Sequence, residues 1–491
     1  MNTDHRSGSV APGQLEKDAL GVAGVVFLVL AAVAPLTGIV VVAALAIALG
    51  NGGGAAASFI IVAIILLFFA VGYAQMSRQL VNAGGFYAFV VKGLGRTGGL
   101  VAGFIATMGY NFFVAGTIGT SGFFTQTVVA QLTGFDLHWY AWGLLSIIAS
   151  FALARQGIGF SAKVLGASLI LETLILLVFD VAVFTRHGFS LEAFAPASIL
   201  SGSIGIGLLL AATGFLGFEA TSLFSEEAKD PLRTIPRATY AAICVIGLIL
   251  GLTTWAVVTA TGVDQAQKVG LEHLENGDLI FALSTTYLGD ALTKLMMLLL
   301  LVSLFAAMLA FHNSATRYLF SLGRARILPF ALARTRSNGV PQTAAIVQAL
   351  FAAGVAGVFA LLGLEPIASL VPSMLGFGTL CILVLQLLAA LSIVVYFRRA
   401  RDPRWWSTLV APGIGALGLF GIATMAILNF SVIAGSEALL VNLLPLLLLA
   451  ALAGGIGYGS YLRRHKPQIY AGLGKDLEQF NATSAAKAQA G

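Results

Sequence analysis

GSIGIGLLLAATGFLGFEATSLF, residues 202–224, is long and apolar enough to cross a bilayer, yet Gly214-Phe215-Leu216-Gly217-Phe218-Glu219 interrupts it at mid-depth. A spanning helix needs roughly 20 apolar residues. Glycines ease departure from helical dihedrals, and a carboxyl group at that depth is expensive. A second segment behaves in the same way. Residues 21–49, GVAGVVFLVLAAVAPLTGIVVVAALAIAL, are apolar throughout but carry Pro35-Leu36-Thr37-Gly38 at their middle. Proline removes a backbone donor and clashes with the preceding turn. Unwound backbone in hydrocarbon survives only where protein buries it or where it lines a wet cavity. Two readings follow: a pair of ordinary kinks, or the discontinuous helices of a transporter, whose half-helix N-termini offer N–H groups to anions and whose C-termini offer carbonyls to cations.

The rest of the chain belongs to the same class. Of its 491 residues, 58% are hydrophobic and 10% charged, with a mean hydropathy of +0.94. A soluble surface needs roughly a quarter charged residues. That excludes a soluble multidomain enzyme and a disordered chain, and it predicts an all-α polytopic membrane protein. The 57 glycines suit close packing of membrane helices. Twelve spans are expected, near 19–49, 57–77, 98–131, 139–154, 160–185, 201–225, 237–262, 290–321, 343–363, 367–397, 408–433 and 438–462. The interrupted spans are the first and the sixth, at matching places in two five-span halves. Such matched interruptions point to a transporter's binding site.

Charge placement orients this map. With both termini inside, all of the 27 bases except Arg186, Lys268 and Lys294 fall on the inner side, as cytoplasmic loops require. The net charge of +6 is therefore read as loop bias, not as nucleic-acid binding. The acidic loop from Asp264 to Asp290 is expected to form an outer cap of short amphipathic helices. Residues 1–17 form a polar cytoplasmic tail without a cleavable signal peptide, and 463–491 a cytoplasmic, disordered one. Cys244 and Cys381 read as small packing residues, and no metal-ligand spacing or cofactor motif is present. No G-x-S-x-G, H-E-x-x-H or P-loop lysine motif occurs, so no catalytic residue is expected and ATP is not the driver. GNGGG at 50–54 reads as a flexible turn.

Three stretches carry a family resemblance. GFLGFEATSLFSEEAKDPLRTIPRAT at 214–239, AQMSRQLVNAGGFYAFVVKGLGRTGG at 74–99 and HNSATRYLFSLGRARILP at 312–329 resemble the amino acid–polyamine–organocation transporter superfamily, in order and on the right helices. The resemblance implies a five-plus-five inverted repeat over residues 18–398, with helices 11 and 12 at 399–462. It also implies alternating access, in which helices one, two, six and seven move against a scaffold. The first break lacks the Gly-Ser-Gly-like motif of many amino acid permeases and is more similar to that of the putrescine-importer branch, which also contains proline. Several proton-coupled relatives carry a lysine where SAKVLGASLILETLILL, residues 161–177, has Glu172. The resemblance places that face of helix five against helices one and eight.

The candidate residues follow. Glu172, alone in an apolar run, is either a proton- or cation-coupling site or a neutral acid bonded to nearby backbone. Glu219 either binds a substrate ammonium or gate, or caps the second half-helix. Phe215 and Phe218 are a pocket wall or core packing. Tyr110 and Asn111 line the cavity or bond between helices. His312 shares a proton with Glu172 or is a structural donor. Asp180, nearer the outer end of its span, is expected to be solvated at the interface. Glu226, Glu227, Lys229, Asp230 and Arg233 read as a cytoplasmic gate or loop-ordering cluster. The expected substrate-binding set is Pro35, Leu36, Thr37, Gly38, Tyr110, Asn111, Gly214, Phe215, Gly217, Phe218 and Glu219, with Glu172 and His312 for coupling. The expected function is secondary active transport of amino acids, proton-coupled, across an inner (plasma) membrane. A polyamine importer of the same fold is the alternative, and a membrane-embedded sensor or enzyme a more distant one. The partners are a small-molecule substrate, protons and the lipid bilayer.

Overall fold

Ala34 is where the first apolar segment stops being one helix. The computed structural model describes residues 20–80, 85–155, 158–225, 227–336, 339–433 and 439–473. α1 (Val22–Val33) ends at Ala34, whose φ of 46° is left-handed. A residue before proline avoids the right-handed basin, and proline's fixed φ suits the first position of a new helix. α2 (Pro35–Thr37) accordingly restarts the chain and passes into π-helical turns at Gly38–Ala43 and Ala46–Asn51.

The turn that follows is pinned, contrary to its reading as a flexible segment. Gly50 O accepts from Ser203 N at 3.0 Å and from Gln267 Nε2 at 3.2 Å, and Asn51 Nδ2 donates to Ile199 O at 3.1 Å. The backbones of Gly50 and Gly207 meet so closely that a Cβ on Gly50 would lie 2.7 Å from Gly207 Cα. Glycine at these two positions lets the end of the first broken segment cross the start of the second.

α3 (Ala55–Ser77) and the long α4 (Phe86–Thr133), bent at Gly95, lead to α5 (Trp139–Ala154) and α6 (Ile158–His187). On α6, Glu172, Leu176, Asp180 and Val183 are buried, while Leu171, Leu174, Leu177, Val178 and Val181 are exposed. That is the helical periodicity of an element with one face packed on protein and an apolar face left exposed. α7 (Pro196–Ile199) lies beside the Gly52–Gly54 turn.

α8 (Ile204–Phe215) carries the second break. Leu216 is extended, Gly217 has φ 118°, and the chain resumes as a 3-10 helix over Phe218–Phe224. Only glycine adopts that φ without strain. Gly217→Ala is therefore expected to destabilise the fold by about 1–2 kcal/mol, read as a lower midpoint in thermal unfolding of detergent-solubilised protein. An unchanged midpoint would show that the break tolerates a side chain.

α9 (Pro231–Thr261) is followed by two short helices, α10 (Ala266–Glu272) and α11 (Leu279–Leu288). They stand where the acidic cap was expected, although α11 is apolar. α12 (Asp290–Arg324), α13 (Gln342–Leu361), α14 (Val371–Arg399), α15 (Ala411–Leu428), α16 (Phe430–Ile433), α17 (Leu439–Asn442) and α18 (Leu446–His465) complete the apolar part. Residues 467–472, expected within a disordered tail, instead form α19 (Pro467–Gly472), whose Tyr470 hydroxyl bonds Thr97 Oγ1 at 3.1 Å. Residues 1–19 and 474–491, the greater part of both tails, lie outside the described residues. Cys381 is buried as expected, but Cys244 is exposed on α9.

Eight helical runs among the described residues are long and apolar enough to cross a membrane, against the twelve spans expected. Every other described element is helical too, apart from one isolated parallel bridge between Leu20 and Ala228. α14 lies along α4, and α3 along α9. α1 sits among α6, α9 and α12, and α8 packs on the second half of the first broken segment. The two breaks therefore face one interior, walled by α4, α12 and α14.

Candidate functional site

Between the breaks lies a cavity of about 40 Å³, on a scale where about 10–15 Å³ admits one water. The first break contributes Thr37 and Gly38, and the second Thr213 and Gly214. α4 adds Phe113, Thr117, Thr120 and Ser121, α12 adds Leu304, Ala307 and Phe311, and Val33, Val41, Val42 and Leu375 close it. No charged side chain is among these lining residues. The wall is aliphatic and aromatic, with a stripe of hydroxyls. Thr117 and Thr120 donate to carbonyls of their own helix, at Val114 and Gly116. Thr213 bonds Leu209 O and Thr379 Oγ1. Ser121 Oγ is buried and has no hydrogen-bond partner among the described residues.

Each break is capped by an acid. Glu172 of α6, 1% exposed, points at the first. Its Oε2 accepts from Ser303 Oγ at 2.6 Å and from Leu36 N at 3.4 Å. Ser303 Oγ in turn accepts from Thr37 N at 3.2 Å and from Thr37 Oγ1 at 3.0 Å. An acid at the N-terminus of a helical segment meets orphan N–H groups and the positive end of the dipole. At the second break, Glu219 Oε2 accepts from Gly217 N at 2.9 Å, and Tyr110 Oη donates to Oε1 at 2.8 Å. A buried carboxyl requires such donors. Tyr110 also packs on Phe311, which walls the cavity, so Glu219 lies one layer behind it.

The structure sorts the expected residues accordingly. Thr37, Gly38 and Gly214 line the cavity. Pro35, Leu36, Gly217, Glu219 and Tyr110 stand behind it and shape the breaks. The Leu36 and Thr37 amides meet Glu172 and Ser303, and Gly38 N donates to Ala34 O at 2.8 Å, so the expected donors at this break are already engaged. Asn111 turns its amide back to Thr107 O. Phe218 joins an aromatic cluster with Phe69, which also packs on Tyr73 and Phe86. Phe215 is buried against the Gly247 region of α9. His312 does not meet Glu172: its Nδ1 bonds Gln348 Oε1 on α13, and its ring packs edge-on to Phe151. Asp180 is not solvated but 3% exposed, bonded to Thr253 Oγ1.

Two partners, Ser303 and Arg317, went unread in the sequence. Ser303 sits in an apolar run with nothing to mark it. Arg317 and Glu227 form a buried ion pair, with Nη2 2.7 Å from both carboxylate oxygens and Nε 3.0 Å from Oε2. Glu227 had been placed in a loop cluster; its neighbour Glu226 lies outside the described residues. The backbone beside it is also tied down, since Leu20 N donates to Glu227 O at 3.0 Å and Lys229 N to Leu20 O at 2.8 Å.

Comparison with known proteins follows this geometry. Residues 20–451 match the family model described as amino acid permease. The chain is 24% identical over 372 residues to the branched-chain amino acid permease BcaP of Bacillus subtilis (strain 168), an alignment covering 71% of this chain and 74% of that one. BcaP of Lactococcus lactis subsp. cremoris (strain MG1363) is 23% identical over 301 residues, 56% of this chain and 62% of the relative. The low-affinity putrescine importer PlaP of Escherichia coli (strain K12) is 22% identical over 269 residues, 53% and 57%. The last two matches cover less than two thirds of those relatives' own length.

Proposed function

The chain belongs to the amino acid permease family, and from that premise we propose that it is a proton-coupled secondary transporter of neutral, aliphatic amino acids. It works in a plasma (inner) membrane with both termini cytoplasmic. Twelve spanning helices are arranged as a five-plus-five inverted repeat over residues 18–398, followed by helices 11 and 12 at 399–462. An ion gradient supplies the energy, with no ATP.

One observation carries the substrate class: the cavity between the breaks has apolar walls, hydroxyls and no charged side chain. An aliphatic side chain gains by leaving water for such walls. A dicationic amine would need anionic partners there, and both nearby acids are already bonded, Glu172 to Ser303 and Glu219 to Tyr110 and Gly217. The uncommitted Ser121 hydroxyl gives the cavity a polar handle. The amine reading draws on the PlaP likeness and on Glu219 behind Phe311.

Coupling follows from the first break. Glu172 and Ser303 hold the Leu36 and Thr37 amides, the donors that a substrate carboxylate would use. A proton on Glu172 removes the charge that favours this clasp and releases those amides to the incoming carboxylate. Proton and substrate then bind as a pair. Glu219, through Tyr110 and Phe311, links the second break to the cavity wall as the helices move.

Competition in proteoliposomes tests the substrate class. Leucine, isoleucine and valine are expected to displace a labelled aliphatic amino acid, and putrescine is not. Displacement by putrescine alone would overturn the reading in favour of the amine importer.

A further inference from the structure

Two acids share the buried stripe of α6. Glu172 belongs to the clasp on the first break; Asp180 lies eight residues further along, about 12 Å at 1.5 Å per residue. The side chains between and beyond them on that stripe, Leu176, Phe179 and Val183, are fully buried. Asp180 meets a different helix. Its Oδ2 accepts from Thr253 Oγ1 of α9 at 2.9 Å, and its Oδ1 is buried with no hydrogen-bond partner among the described residues. Thr253 itself is 0% exposed.

Among the described residues no countercharge bonds Asp180. α1, α2 and α11 carry no charged residue. Tyr287 of α11 is engaged with His187 and Arg186 at the end of α6. α5 offers Tyr140, whose hydroxyl bonds Ala353 O. On α9, Arg233, Arg237 and Tyr240 stand more than three turns before Thr253, and Cys244 more than two. On α12, His312 and Arg317 are committed to Gln348 and Glu227, and neither Asp290, Lys294, Tyr318 nor Arg324 is a hydrogen-bond partner of Asp180.

An ionised carboxylate presents about four acceptor sites, and here one hydroxyl meets them. A lone charge so buried among apolar side chains is far more costly than a neutral acid. A metal cation is no remedy, because hard cations gather about six or more oxygens. We propose that Asp180 is a second proton-binding site, occupied while α9 is packed on α6 and emptied when the two helices part and water reaches the carboxylate. Proton binding and helix packing are then linked, each favouring the other. α9 leads directly out of the second broken segment, so the site reports on the movement of that segment, not on the cavity. The inference rests on the transport reading only for its uptake readout.

The test is infrared difference spectroscopy, acid against alkaline buffer, on the purified full-length protein in lipid nanodiscs. The wild type is expected to show the carbonyl stretch of a protonated carboxyl group that disappears on alkalinisation. Asp180→Asn, which keeps the size of the side chain and an acceptor for Thr253, is expected to lose one component of it. Glu172→Gln keeps that component, and Thr253→Val shifts its frequency. In proteoliposomes the Asp180→Asn variant keeps its KM but loses part of the pH dependence of the uptake rate. A spectrum and a pH profile that both superimpose on the wild type's would overturn the inference and assign Asp180 a structural bond only. Uptake indifferent to the proton gradient, with the Asp180 component still present in the spectrum, would overturn proton-driven transport and leave this site standing.

Discussion

Arg317→Ala is expected to lower the stability of the folded protein by about 3–5 kcal/mol, as does removal of one partner from a buried ion pair elsewhere. The loss comes from Glu227, whose side chain is 3% exposed and would lose its Arg317 countercharge while staying buried. Three parts of the chain meet at this pair: the residues leading into α1 through Leu20, the loop after the second break through Glu227, and α12 through Arg317. A fall in the thermal midpoint of detergent-solubilised protein reads the effect. The double variant Arg317→Met, Glu227→Leu separates its causes. Replacing both charges with apolar groups of similar volume removes the desolvation penalty along with the attraction, so most of the stability is expected to return. If the double variant is as unstable as the single one, the charges are not the reason these three segments stay together.

How far the sequence could be read depended on which physics each residue obeys. The all-helical, multi-span character was legible because bilayer thickness fixes a length and hydrocarbon fixes a composition. The breaks were legible because Pro35 and Gly217 act on the backbone locally, whatever surrounds them. Glu172 stood out as the lone acid of an apolar run. Its partner Ser303 did not, because a serine in a membrane helix ordinarily bonds back to its own helix and reads as packing. The cavity face of α4 was missed for the same reason: Thr117 and Thr120 do bond back, and only the tertiary arrangement distinguishes Ser121 from them. Tyr110 and its neighbour Asn111 were both expected at the cavity, but adjacent residues on a helix point about 100° apart, and Asn111 turns to its own backbone. Asp180 was placed by counting residues from the end of its span. Its burial is set by a neighbour some seventy positions away, Thr253, which no local pattern announces. Glu227 read as one member of a cytoplasmic gate or loop-ordering cluster, and only the fold brings Arg317 of α12 to it.

Glu172→Gln is expected to abolish proton-driven accumulation while leaving the transporter folded and able to exchange substrate. Glutamine keeps a carbonyl oxygen for Ser303 Oγ and Leu36 N, which now bond Glu172 Oε2 at 2.6 and 3.4 Å. What it lacks is a group that can carry a proton from one side of the membrane to the other. A pH difference of one unit across the bilayer is worth about 1.4 kcal/mol per proton, enough for about tenfold accumulation at one proton per substrate. In proteoliposomes with an acidic exterior, the wild type should approach that ratio. The variant should fall to the concentration of the bath, with an uptake rate that no longer depends on pH through this residue. Exchange of labelled for unlabelled substrate moves no net proton, so it should persist and serves as the folding control. Glu172→Leu distinguishes the clasp from the proton, since it also strands the Ser303 hydroxyl and the Leu36 amide. It is expected to cost a further 1–3 kcal/mol or so in stability and to slow exchange as well. A Gln variant that still concentrates substrate to the wild-type ratio, with an unchanged pH profile, would leave Glu172 as a cap on the first break and move the search for the coupling group elsewhere, with Asp180 the next acid on the same face of α6.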